Sequence, residues 1–101
     1  MFIYNVTLNV EPQIEEEWLN WMKNEHILDV LNTGRFTTHK ILRLLNEQAD
    51  AEGNTYAVQY MAKSLKDIQL YLANEGPVLQ TETMAKYGEK VMAFRTVLEE
   101  I

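Results

Sequence analysis

The first group in this sequence that could move a proton is a histidine set into an apolar helical stretch. His26 follows Glu25 and comes after Trp18 and Trp21 on one segment. An imidazole there could act as a general base or as a haem ligand. Equally, it could sit at a helix end and bond a backbone carbonyl. A proton-transfer mechanism needs a second partner, and none accompanies His26 in the sequence. The two tryptophans stand three residues apart, so one helix face carries both. They could wall an apolar ligand pocket between a helix and a sheet, or they could fill the core.

Arg95 is the main candidate for holding an anion. Asn5, Thr7 and Gln59 occupy alternate strand positions, opposite a bulkier apolar set, and Arg95 is expected on their face of the sheet. A guanidinium among these groups offers a fork of donors for a carboxylate. The same arginine could instead pair with a carboxylate across a dimer seam and fix its register. His39 or Arg43 would extend this polar ladder from a neighbouring strand, and a slip of one residue would reverse that choice.

Other chemistries find no support. The two histidines fall on different elements without His-x-x-x-His or His-x-x-Glu spacing, so no metal site is expected. There is no nucleophile elbow, P-loop or dinucleotide fingerprint, and no cofactor is expected. With no cysteine, thiolate chemistry and disulfides are excluded. A net charge of −6, with nine Lys and Arg scattered along the chain, argues against nucleic acid. No apolar run approaches the length of about 18 residues that would span a membrane, and a cytoplasmic location is expected.

The elements that must position these groups follow from periodicity. Phe2 to Val10 alternates apolar and polar residues, as a strand with one buried face does. Pro12 suits a first helical turn, Glu15, Glu16 and Glu17 complement the helix dipole, and Ile14, Trp18, Trp21, Met22 and Leu28 form an apolar stripe running toward a stop at Gly34. A kink is expected near His26. Arg35 to Glu47 and Asn54 to Lys63 read as two strands joined through a turn containing Asp50 and Gly53. Ser64 and Asp67 resemble a capping box ahead of a helix that ends at Gly76-Pro77, a short helix spans Val78 to Tyr87, and Val91 to Glu99 returns to a strand.

The order is therefore βαββαβ, a ferredoxin-like α+β fold with an antiparallel sheet of order 4-1-3-2 and helices on one face, here in a single domain over residues 1–101. The set Phe2, Tyr4, Val6, Leu8, Tyr56, Val58, Tyr60, Met92, Phe94 and Leu98 is expected on the helix side. The opposite face would expose Ile3, Ala57, Met61, Ala93 and Val97 unless a second copy covered it, so a homodimer is expected. A chain of this size buries only roughly 65% of its unfolded surface, which also favours pairing.

The run Tyr4-Asn5-Val6-Thr7, the segments Glu17-Trp18, Trp21-Met22, His26-Ile27, Val30-Leu31, Thr33-Gly34 and Phe36, and the later Thr55-Tyr56, Val58-Gln59-Tyr60, Ala93-Phe94-Arg95-Thr96 and Leu98-Glu99 resemble the small bacterial proteins grouped as domain of unknown function family 4286. The resemblance covers nearly the whole chain. It implies kinship in fold with dimeric α/β barrels, a group that includes antibiotic-biosynthesis-type monooxygenases, haem-degrading enzymes and muconolactone isomerases. Asn5 is similar to the strand-one asparagine of the haem-degrading relatives, but the histidine that resemblance calls for on the second helical region is absent from Ser64 to Tyr87. Leu28 departs from the proline expected after His26-Ile27. Three functions then stand side by side: a dimeric module for a small acidic or aromatic ligand, a cofactor-free monooxygenase- or isomerase-like enzyme, and a structural dimer serving a partner protein through a patch at Val78, Leu79 and Tyr87. Binding or interaction ranks above catalysis.

Overall fold

The structure, a computed structural model, describes residues 1–46 and 53–101. Its elements follow the expected order. Strand β1 (Phe2–Val10) is followed by a 3-10 turn at Pro12–Ile14, helix α1 (Glu15–Trp21), a π-helical turn at Met22–His26 and helix α2 (Ile27–Asn32). Strands β2 (Thr38–Arg43) and β3 (Asn54–Ala62), helices α3 (Leu65–Ala73) and α4 (Gly76–Tyr87), a 3-10 turn at Gly88–Lys90 and strand β4 (Val91–Glu99) complete the chain. The sheet is antiparallel, in the order β2-β3-β1-β4.

Local chemistry accounts for most boundaries. Pro12 opens the first helical run and Glu15, Glu16 and Glu17 fill the first turn of α1. Gly34 follows α2 with φ of +80°, a conformation that only glycine takes without strain. Ser64 caps α3 by accepting the Asp67 N–H at 3.2 Å, while its hydroxyl donates to the Asp67 carboxylate at 3.0 Å. The π-helical turn breaks the helix where a kink was expected near His26, and it does so without a proline. Gly53, at φ of +73°, packs so tightly against the Val10 carbonyl that a side chain there would collide with it.

Strand β2 is shorter than the expected Arg35–Glu47. Residues 35–37 reach it through a turn region in which the Thr37 N–H bonds the Met61 carbonyl at 2.8 Å. Glu47 and the turn residue Asp50 lie outside the described residues.

The core lies between the sheet and the helices. Tyr4, Leu8 and Val10 of β1 and Tyr56, Val58 and Tyr60 of β3 pack against Trp18, Met22, Ile27, Val30, Ile68 and Tyr71. A polar network at one end joins α1 to the hairpin. The Tyr56 hydroxyl donates to Glu15 Oε2 and accepts from Arg43 Nη2 at 2.8 Å, while Asn54 Nδ2 donates to Glu15 Oε1 at 2.7 Å. The hydrogen bond from Tyr56 holds the Glu15 carboxyl below its usual range.

Strand β4 corrects the expected face assignment. Arg95 lies opposite Val6 and Thr96 lies opposite Asn5, so Ala93, Arg95 and Val97 face the helix side while Met92, Phe94 and Leu98 face away from it. The physical reason is position. As an edge strand, β4 leaves Ala93, Arg95 and Val97 exposed even on the helix side, so burial does not select which of its two sets points inward. On β2, His39 and Arg43 sit opposite Tyr60 and Tyr56 on the helix side, leaving Lys40 beside Gln59 on the open face. Neither His39 nor Arg43 extends the polar ladder.

Candidate functional site

A cavity of about 250 Å³, partly open to solvent, lies between the sheet and the helices. Apolar walls come from Val6, Leu8, Val58, Met22 and Val30, and the polar groups Tyr4, Tyr71, Gln80, His26 and Arg95 converge on it. Each arrives from a different element. Tyr4 and Arg95 come from neighbouring strands β1 and β4, His26 from the π-helical turn, Tyr71 from α3 and Gln80 from α4.

A packed set of rings fixes the tyrosines. Tyr4, Tyr60 and Tyr71 surround Phe36, with centroid separations of 6.2, 5.4 and 5.0 Å from its ring. Burial raises the pKa of the Tyr4 hydroxyl, with Arg95 and Gln80 acting in the opposite direction. Burial also raises Tyr60 and Tyr71, to which the nearby tyrosines add. These phenols are therefore neutral hydrogen-bonding groups at physiological pH.

His26 is held by stacking on Trp21 at 4.9 Å, and Trp21 in turn meets the Tyr87 ring edge at 5.5 Å. Burial pushes the imidazole below its usual range, Asp29 opposes that, and Arg95 adds to it. Its Nδ1 is buried and has no hydrogen-bond partner among the described residues.

The eight residues singled out in the sequence divide among four places. His26 and Arg95 meet in the cavity, with Trp21 behind the histidine. Trp18 is fully buried core, packed on Tyr56 at 5.0 Å. Asn5, Thr7 and Gln59 lie on the opposite face of the sheet. There Asn5 Nδ2 donates to Thr7 Oγ1 at 3.1 Å and Thr96 Oγ1 at 3.2 Å, and Gln59 Nε2 donates to Asn5 Oδ1 at 3.3 Å. Arg95 is not part of that network. His39 stands on the edge strand away from the cavity. The interaction patch expected around α4 does not form, because Leu79 and Tyr87 are buried and only Val78 is exposed.

Tyr4, Tyr71 and Gln80 were missed. The signal for the first two was available: a tyrosine at a core position brings a hydroxyl that needs a partner. Gln80 carried none, since α4 has only weak apolar patterning to orient it.

Among the described residues, no group of three or more His, Cys, Asp or Glu side chains could hold a metal ion. Nor is any helix there long and apolar enough to cross a membrane.

A four-stranded antiparallel sheet in this order, with helices on one face, defines the ferredoxin-like α+β fold class. Two solved structures share it. One is an ethyl tert-butyl ether degradation (EthD) family protein from Bacillus halodurans, 15% identical, with a TM-score of 0.73 and 100% of each chain covered. The other is a candidate antibiotic biosynthesis monooxygenase from Deinococcus radiodurans, 16% identical, with a TM-score of 0.57, covering 99% of this chain and 92% of that one. No curated protein matches the sequence. Over residues 1–101 the chain belongs to the family described as domain of unknown function (DUF4286).

Proposed function

We propose that this protein is a homodimeric module that binds a small acidic or aromatic ligand in the cavity between sheet and helices. The observation that carries the reading is the cavity itself, apolar on its walls and supplied with the Arg95 guanidinium beside the Tyr4 hydroxyl and the Gln80 amide. Such a site matches a carboxylate joined to a flat apolar body. Its size suits a single ring, since an apolar cavity of about 150 Å³ already takes up benzene.

Dimerisation is supported by the face that the helices leave bare. Met92, Phe94, Leu98 and Leu42 are 64%, 68%, 44% and 45% exposed there, and β4 is an edge strand. Large exposed apolar side chains on an uncovered sheet face, next to an unpaired strand edge, favour cover by a second copy, whose contact would also take in the polar row Lys40, Gln59, Asn5 and Thr96. We further propose a bacterial cytoplasmic setting and no nucleic-acid partner, the latter supported by the net charge of −6.

A second reading, a cofactor-free monooxygenase- or isomerase-like enzyme, draws on one observation, the imidazole of His26 lining the same cavity. The deciding experiment is native mass spectrometry of protein gently purified from its own host. A dimer carrying a defined extra mass, lost in Arg95→Met, bears out the binding reading. A dimer that stays bare and ignores benzoate added at millimolar concentration refutes it.

A further inference from the structure

The two readings of the cavity part company at His26, and the tautomer of its ring separates them. The ring lines the cavity, yet Nδ1 is closed off and has no hydrogen-bond partner among the described residues, which leaves Nε2 as the nitrogen toward the cavity. To work as a base through Nε2, the ring would need its proton on Nδ1. That places a desolvated N–H where nothing accepts it, and buried orphan N–H groups are the rarer and more costly kind. Protonating both nitrogens leaves the same orphan and adds a buried charge. A bare lone pair on Nδ1 is the least costly arrangement, and it puts the proton on Nε2.

We infer that His26 serves the cavity as a neutral Nε2–H donor, so that the ligand is a carboxylate bearing a second, acceptor oxygen such as a ketone or ether on its apolar body. The inference rests on the cavity reading above and narrows it. Every charged group facing the ring is compatible with it. Glu25 and Asp29 lie on its own helical run, Arg95 faces it from β4, Glu89 lines the cavity beyond α4, and Lys86 sits over Trp21 at 6.0 Å from the ring centroid. None of them bonds Nδ1. Arg95, Gln80, neutral Tyr4 and His26 can each present a donor to the cavity, beside the Glu89 carboxylate that also lines it.

Two measurements test this on the intact protein. Nitrogen-15 NMR of the imidazole at pH 7 should show a protonated Nε2 and a bare Nδ1. The Nδ1–H tautomer, or an imidazolium, would overturn the inference. Titration with 3- and 4-acetylbenzoate against 3- and 4-isopropylbenzoate asks whether a second acceptor is read. At least one acetyl compound should bind roughly threefold to tenfold more tightly than its isopropyl counterpart, the worth of one neutral hydrogen bond. His26→Phe keeps the stack on Trp21 and should erase that preference while leaving isopropylbenzoate binding in place. Equal binding of the two series would overturn the role given to His26 alone. Failure of all four to bind would overturn the cavity reading and this inference with it.

Discussion

Replacing Phe94 with alanine should dissociate the dimer without unfolding the chain. Phe94 is 68% exposed on the face that the helices leave bare. An aromatic side chain presents roughly 150–250 Å², so about 140 Å² of it awaits cover. At about 25 cal/mol per Å², covering it contributes about 3 kcal/mol per copy, and a two-fold interface buries the residue twice. Alanine retains part of that area, which puts the loss at about 4 kcal/mol per dimer and the rise in dissociation constant at roughly a thousandfold. Sedimentation velocity over a dilution series measures this directly. Val78→Ala is the control, since Val78 is 61% exposed but sits on α4, away from the open face of the sheet. A dissociation constant unchanged by Phe94→Ala, or shifted equally by Val78→Ala, would refute the assignment of the seam to this face.

Other outcomes follow from the same geometry. Arg95→Met should weaken benzoate binding by roughly tenfold to a hundredfold, the worth of a hydrogen bond to a charged group, while sedimentation shows the dimer intact because Arg95 points away from the open face. Trp18→Ala should cost roughly 3 to 5 kcal/mol in urea unfolding, as a fully buried ring does, and Trp21→Ala should cost less because Trp21 is only half-buried. The imidazole of His26 is depressed in the folded state, so the unfolded chain binds the extra proton first. Stability should therefore fall as pH drops from about 6.5 toward the lower folded value, and His26→Phe should remove that step. A second fall should follow below about 4.5 as the Glu15 carboxylate, held low by Tyr56, takes up its proton. A urea midpoint that stays flat through the first window in the wild type would count against a buried neutral imidazole.

The order of elements was legible because two periodicities alternate cleanly and are punctuated by Pro12, Gly34, Gly76-Pro77 and Gly88. Strand β1 also announced its buried face, since every apolar residue of one set meets the core. Strand β4 did not. Both of its alternate sets are apolar, Val91, Ala93 and Val97 against Met92, Phe94 and Leu98, so bulk was a poor guide on an edge strand whose two sets are both largely exposed. That single ambiguity displaced Arg95 and hid the cavity. Tyr4 and Tyr71 were legible as core residues but not as site residues, because only the fold brings their hydroxyls beside an arginine from the far end of the chain.

The register of β4 therefore carries more of the function than any one side chain. A slip by one residue would put Arg95 on the bare apolar face and Phe94 at the cavity, spoiling both surfaces together. Bonds at both ends oppose such a slip. The Glu11 N–H donates to the Lys90 carbonyl at 3.1 Å just before the strand, and the Glu100 N–H donates to the Met1 carbonyl at 2.9 Å just after it. Between them Val91 is buried against the core, and the Asn5–Thr96 hydrogen bond ties the middle of the strand to β1. Thr96→Val, which keeps the shape and removes that acceptor, tests the middle clamp. It leaves the Asn5 amide bonded to Thr7 but short of one partner, so stability should drop by about 1 kcal/mol. Amide exchange should quicken along residues 93–98 ahead of the rest of the sheet. Uniform exchange across all four strands would mean that the end bonds alone hold the register.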